Sequence, residues 1–462
     1  MSAAVKPPAT DTTNAGEVPW LTLTVSVILT GALVFVYLNG GVMTHAVILA
    51  AAGASIAAYA AAVHPKSIFV SFGVVLGAVP YMHVPGTSVP LLLVLAVGVW
   101  VALVFLPGVD VRPGWPEWWV FLLAAAAIVS VVATGPSRTA FVEYAAWLAA
   151  TAVVVPLRFL PVAMRITTVR AFAISTAFGA ALGILIRAQR HEPLLSLLSV
   201  AGYDPERNVQ RVYGSDTITT RLSGTFLEPN VAGLILAAGL VLTVAYFHGS
   251  ARVAMVVVIG AGLLLTLSRS AIATVLLAGL VVVLRAPLHR FAIVVAGLVA
   301  GLAALTLAPV RIRLMDTFGP SDMGTLERQL ALADFPRLMD GHWVWGLGWA
   351  RAEFRSRSLG ETVNYVANGP LVTIYRGGIV VGIIAVTILI VLVARSWFAA
   401  SRSFEDAVVC AGVIGFVLVA LQLDFPIVLS APATTMFSFL VAMSLMHAPE
   451  PPPPRPARQT GA

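Results

Sequence analysis

The segment 370–394, PLVTIYRGGIVVGIIAVTILIVLVA, carries one charge, Arg376, in an otherwise apolar run. A helix needs about 20 such residues to cross the hydrocarbon core of a bilayer, whereas a membrane-barrel strand needs about 10 and alternates polar with apolar residues. This run does not alternate. In lipid the backbone must satisfy its own donors and acceptors, which leaves helices and closed barrels. Length and pattern select the helix.

Runs of the same kind recur along the chain, at about 19–38, 42–63, 67–83, 88–106, 117–134, 140–157, 168–186, 228–247, 253–268, 270–285, 290–308, 406–422 and 427–446. With 370–394 they predict an all-α polytopic bundle of about 12–14 transmembrane spans, most of them of bilayer-spanning length. Pro80 and His83 interrupt the run at 67–83, and the pair around Ser268–Ser270 reads as a hairpin or one broken element. Composition agrees: 59% of the 462 residues are hydrophobic and 11% charged, with mean hydropathy +0.93. A soluble chain carries about 25% charged residues. A water-soluble enzyme of this size is thereby excluded. The single cysteine, Cys410, lies inside an apolar run and reads as packing.

Residues 1–18 and 449–462, the latter proline-rich, read as disordered cytoplasmic ends of a membrane domain spanning 19–448. The first apolar stretch is too long for a signal-peptide core and lacks an A-x-A-type cleavage site. Lysine and arginine in short loops set orientation. An N-terminus inside puts Lys6, Lys66, Arg112, Arg158, Arg165, Arg252, Arg285, Arg290, Arg395, Arg402, Arg455 and Arg458 on the cytoplasmic side. Both ends are then cytoplasmic. Two long loops, about 187–227 and 309–369, fall outside, and both are rich in arginine. The first holds an apolar stretch, Leu194–Val200, that reads as a short interfacial helix. The second has helical spacing after Thr325 (Leu326, Leu330, Ala333), with Pro336 expected to end the helix. It reads as a helical extracytoplasmic cap.

Three constellations carry chemistry. In the first, Arg221-Leu-Ser-Gly-Thr-Phe-Leu-Glu-Pro229-Asn230 opens an apolar run, with Pro229 where a helix tolerates proline. A helix start presents unpaired N–H groups and a positive dipole end, which suits phosphate. The plain alternative is a capped helix whose arginine reaches the headgroups. The second is Thr266-Leu-Ser-Arg269-Ser270, an arginine between two apolar runs where a charge seldom stands without a partner. The alternative there is a tight outer turn. The third is Trp345-Gly-Leu-Gly-Trp349, followed by Arg351 and Glu353, then Asn364 to Asn368 and Arg376-Gly-Gly. Tryptophans suit a sugar face, and equally an interfacial aromatic belt.

Together, in this order and spacing, the blocks over about 205–395 resemble the O-antigen ligase and O-antigen polymerase superfamily. Its central block runs arginine, glycine, an aromatic, then Pro-Asn, here Arg221, Gly224, Phe226 and Pro229-Asn230. A Thr-x-Ser-Arg turn follows, here Thr266, Ser268 and Arg269. A large external loop then carries a Gly-x-Gly turn, here Gly346-Leu347-Gly348, before a span with a glycine pair, here Gly378 and Gly382. The family usually places His-Asn at the start of that span, and here those positions read Ala367-Asn368. This departure favours a polymerase-like over a ligase-like role.

The resemblance implies a donor glycan on polyprenyl pyrophosphate, a glycan or lipid acceptor, and a site at the outer face of the cytoplasmic (inner) membrane. No cofactor and no nucleic-acid partner are expected, and the sequence shows no metal-ligand constellation. Polyprenyl pyrophosphate leaves as an acceptor hydroxyl attacks the anomeric carbon. Arginine meets phosphate oxygens bidentately and stays charged in a partly dry site. Arg221 and Arg269 are therefore the expected pyrophosphate ligands, with Arg376 or Arg211 as a third clamp and Asn230 and Asn368 beside them. Candidate bases are Glu228, His342, Glu353 and Glu361. Two other readings stay open: a transporter or flippase of an anionic lipid-linked substrate, and a non-catalytic envelope-assembly protein.

Overall fold

The computed structural model describes residues 59, 63–84, 89–106, 109, 111–189, 211–212, 219–285, 332–349, 368–420 and 431–445. The chain divides into Met1–Ala60 and Ala61–Ala462, and the helices below belong to the second unit. The spans expected at 19–38 and 290–308, most of that at 42–63, both chain ends, and the Leu194–Val200 helix lie outside the described residues.

The protein is an all-α helical bundle of the polytopic membrane class. Its helices are α1 (Pro65–Ala78), α2 (Leu91–Val104), α3 (Trp115–Ala133), α4 (Arg138–Ala152), α5 (Val154–Arg158), α6 (Val162–Gln189), α7 (Pro229–Tyr246), α8 (Gly249–Leu265), α9 (Arg269–Arg285), α10 (Gly369–Ala399), α11 (Phe404–Ala420) and α12 (Ala431–Leu445). Among the described residues, five stretches are long and apolar enough to cross a membrane: Trp115–Ala133, Arg138–Arg158, Val162–Ala188, Pro229–Tyr246 and Gly369–Ala399. Among the described residues, a two-rung antiparallel ladder lies in the loop before α7, pairing Arg211 with Thr220 and Val212 with Thr219.

Proline explains two helix boundaries, and glycine a third. The run at 140–157 is split between α4 and α5, because Pro156 has no N–H to offer the carbonyl of Ala152 and its ring crowds that carbonyl. The run at 67–83 stops at Ala78, ahead of Pro80. The chain then turns through an isolated bridge, His83 to Pro90, into α2. Pro336, by contrast, does not end its helix. Residues 332–338 are helical on both sides of it. The stop is at Gly341, whose φ of +76° gives the left-handed end that favours glycine.

Helix α7 is the centre of the bundle. Its residues are buried around its whole circumference, as expected of a helix that is apolar on every side. It packs against α6, α8, α9, α11 and α12. The chain runs antiparallel from α7 to α8, then turns at Thr266–Ser268 into α9, so the pair flanking that turn is two helices, not one broken one. The far end of α9 meets the far end of α10, where the Arg285 guanidinium lies 4.9 Å from the Trp397 ring centre. Arg395 stands likewise over Trp115 at the start of α3, at 4.6 Å. The starts of α7, α9 and α10 therefore share one end of the bundle with the last turns of α1, α3, α6 and α8.

Helices α1 and α6 lie close together because α1 presents glycine where they meet. A Cβ on Gly73 would sit 2.8 Å from the Thr168 carbonyl, and one on Gly77 would sit 2.8 Å from the Thr176 hydroxyl. Without a hydrophobic force between helices in lipid, such close contact is a main source of association. Gly77→Val is expected to destabilise the fold by about 1–3 kcal/mol, the usual cost of overpacking. It would be read as a lower melting temperature of the detergent-solubilised protein.

Candidate functional site

The Arg221 block is held by its neighbours almost residue by residue. Leu222 donates its N–H to the Leu265 carbonyl at 2.9 Å, and its side chain fills a notch in α6 beside Gly183. Gly224, at φ +51°, comes so close to α6 that a Cβ would sit 2.8 Å from the Gly183 Cα. The Thr225 hydroxyl donates to the Ala78 carbonyl at 2.6 Å, tying the block to the last turn of α1. Phe226 is fully buried. The segment cannot slide, and the guanidinium it carries is fixed in turn. Arg221 Nε donates to the Thr266 carbonyl and its Nη2 to Asn230 Oδ1, both at 2.8 Å.

These contacts unite the first two sequence blocks. Asn230 lies in the first turn of α7, Thr266 closes α8, and Arg269 opens α9. The starts of α7 and α9 are adjacent: a Cβ on Gly233 would touch Ala271 and Ser268. The Ser268 hydroxyl accepts from the Ala271 N–H at 3.4 Å, in the manner of a helix cap. Two arginines, Arg221 and Arg269, thus stand where two helices begin. Both helix starts carry partial positive charge, so the arrangement favours an anion.

Strain marks the same place. Among the described residues, two that are not glycine have positive φ, Leu227 at +55° and Leu267 at +51°. Leu227 joins the block to α7, and Leu267 follows the carbonyl that Arg221 holds. A branched side chain in this region costs about 1–3 kcal/mol and persists where the surroundings enforce it, commonly at functional sites.

The third block forms a second cluster at the same end of the bundle. Helix α10 breaks at Gly378, with φ +80° and ψ 176°. The helical bond from the Ile379 N–H to the Tyr375 carbonyl is lost there. Both partners are met by the Gly-x-Gly segment instead: Ile379 donates to the Trp343 carbonyl at 2.8 Å, and Leu347 donates to Tyr375 at 2.7 Å. The Ser130 hydroxyl on α3 completes the splice, lying 2.8 Å from the Trp345 carbonyl and 3.2 Å from that of Arg376. Gly346 packs directly on the Arg376–Gly378 backbone. Trp349 is buried against Tyr144 and Trp147 of α4, with ring centres 5.7 and 5.3 Å away.

Arg376 is itself buried, about two turns into α10 from Asn368. Its Nη1 donates to Glu143 Oε2 at 2.9 Å. Sequence reasoning did not single out Glu143. A carboxylate in the apolar run 140–157 was the available signal, since a charge inside a span usually has a partner.

The remaining candidates fall as follows. Glu228 occupies the cap position of α7, and its side chain makes no cap bond. His342 is exposed in the turn before the Gly-x-Gly segment, its Nδ1 2.9 Å from the Asp340 carbonyl. Asn368 caps α10, accepting from the Leu371 N–H at 3.1 Å. Arg211 lies on the two-residue ladder, but its side chain, like Glu353 and Glu361, lies outside the described residues.

The fold defines a class: a polytopic helical membrane protein, here with Arg221 and Arg269 at adjoining helix starts at one end of its bundle. The chain matches no protein-family model and no curated protein.

Proposed function

We propose that the protein is a glycan polymerase or ligase that takes its donor from polyprenyl pyrophosphate, with the Arg221 end of the bundle at the outer face of the cytoplasmic membrane. One observation carries this reading. Arg221 is clasped by Asn230 and the Thr266 carbonyl between two helix starts, with Arg269 at the second, and the backbone is strained on both sides. Such a cradle stabilises charge that develops on a leaving pyrophosphate, and preorganised stabilisation of this kind is often the largest catalytic contribution.

Orientation is supported by the opposite end. There Arg158 pairs with Glu117, Arg252 bonds the Phe247 carbonyl, and Arg285 and Arg395 rest on tryptophans. Arginines gathered in the short loops of one end are what the positive-inside rule expects of a cytoplasmic interface.

Deleting the gene in its host is expected to leave short lipid-linked glycans that accumulate, with surface polymer restored by the wild-type gene. The length pattern of the restored product then separates polymerase from ligase. Unchanged lipid-linked and surface glycans in the deletion strain would overturn the reading.

A further inference from the structure

Helices α3, α4, α5, α10 and α12 surround a cavity of about 90 Å³ in the half of the bundle away from Arg221. Its walls include Val120, Trp147, Val154, Ile388, Leu392 and Phe437, and they are almost wholly carbon. We propose that this cavity takes one acyl chain of an anionic phospholipid, whose headgroup phosphate rests on Arg395 at the membrane surface. The site is separate from the glycan chemistry above and stands without it.

Depth is the first argument. Arg395 lies about one turn beyond Leu392 on α10, and Arg158 about one turn beyond Val154 on α5. At 1.5 Å per residue, Leu392 is about 5 Å below Arg395, and Ala385, also in the wall, is about 15 Å below it. One leaflet supplies about 15 Å of hydrocarbon. The cavity therefore spans the depth of an acyl chain in the leaflet at the Arg395 end. In the orientation proposed above, that leaflet is the cytoplasmic one.

The lining is the second. Val120, Thr151 and Ile388 are partly exposed, and the cavity is open rather than sealed. Water is a poor occupant, since it needs several polar partners, and apolar cavities stay dry and take apolar guests. An empty space also forfeits the dispersion contacts of its lining. Within a bilayer the apolar guest at hand is a lipid chain.

Charge selects the lipid. Arg158 is committed to Glu117, which also accepts from the Gly114 N–H at 2.7 Å. That pair is neutral and nearly covered. Arg395 is exposed, its guanidinium 4.6 Å from the Trp115 ring centre, and among the described residues it has no ion pair. One uncompensated cation thus stands over the cavity beside an interfacial indole, the usual anchor at headgroup level. Basic sites between spans bind anionic headgroups, and a guanidinium meets phosphate oxygens bidentately.

The test uses the full-length protein, purified in detergent and stripped of lipid. It is offered dioleoyl phosphatidylglycerol or dioleoyl phosphatidylcholine, which share their chains and differ in charge, and native mass spectrometry reads the lipid retained. Wild type is expected to hold a single phosphatidylglycerol and to prefer it by about fivefold, the worth of one arginine near an anionic surface. Arg395→Gln should bring the two lipids close to parity. Arg252→Gln, at the same end but on α8, away from the cavity, should leave the preference unchanged. Ile388→Trp, at the open side, should lower retention of both lipids, with its melting temperature in detergent checking the fold. A competition without mutation covers the case of a misfolded variant: glycerol 3-phosphate, a head without chains, should fail to displace the lipid from wild type even in excess. Equal retention of both lipids by wild type, or a preference that survives Arg395→Gln, would overturn the proposal. So would full retention by a folded Ile388→Trp protein, or displacement by glycerol 3-phosphate, either of which marks a headgroup site that makes no use of the cavity.

Discussion

Arg221→Lys is expected to lower transfer by about 10²–10³-fold, the scale found when one preorganised donor to a developing charge is removed. The substitution keeps the positive charge, so the loss would report geometry. Arginine reaches two acceptors set at an angle, the Thr266 carbonyl with Nε and Asn230 Oδ1 with Nη2. Those two bonds fix the plane of the guanidinium. A lysine ammonium is a point charge on a flexible stem and cannot reproduce that fork. Folding should survive, because the block is anchored independently by the Leu222 N–H to Leu265 and by Thr225 to Ala78. Expression and melting temperature close to wild type, with lipid-linked donor accumulating in a complemented deletion strain, is the predicted outcome. Asn230→Ala should produce a smaller loss of the same kind, since it frees one arm of the fork. An Arg221→Lys protein that restores normal surface glycan would remove the cradle from the mechanism and leave Arg221 as an interfacial anchor.

What could be read from the sequence follows the range over which each interaction acts. Spans such as 370–394 and 228–247 are visible because hydrophobic length is local, and the helix starts at Pro229 and Pro370 because proline tolerates only the first turn. The block from Arg221 to Asn230 was legible as a unit, and its convergence with Thr266 and Arg269 follows from a short helical hairpin. Local rules also misled. Pro336 reads as a helix end, yet residues 332–338 are helical on both sides of it. The Glu143–Arg376 pair joins α4 to α10, far apart in the chain, with no periodicity to link them. The positive φ of Leu227 and Leu267 was invisible, because a leucine gives no hint of a conformation that tertiary contacts impose. The break in α10 is an intermediate case. Gly377-Gly378 in a run of β-branched residues suggests weakness, but its depth depends on a loop segment that arrives to take up the lost bonds.

That break underlies the second large effect. Gly378→Ala is expected to undo the splice between α10 and the Trp343–Trp349 segment. The φ of +80° with ψ 176° belongs to a region that only glycine occupies readily. A methyl group there would also run into the Val344 carbonyl and crowd the Trp345 carbonyl carbon. Strain alone costs about 1–3 kcal/mol, and the clash adds to it. The chain can escape by letting residues 375–379 become helical, since alanine favours helix. The Ile379 N–H then returns to Tyr375, and Trp343 and Leu347 lose both partners at once. The segment would lift from α10, exposing Trp349 and loosening the seat of Arg376. Two readouts should move together. Trp349 emission should shift to the red when it is made the sole tryptophan of that segment by Trp343→Phe and Trp345→Phe. Limited proteolysis should cut within 339–349, where the wild type resists. Transfer should fall by at least about tenfold if the cost reaches 1.4 kcal/mol at the site. A Gly378→Ala protein that keeps the buried Trp349 signal and wild-type protease resistance would show that the backbone break is incidental, and that the segment is held by its aromatic contacts to Tyr144 and Trp147 alone.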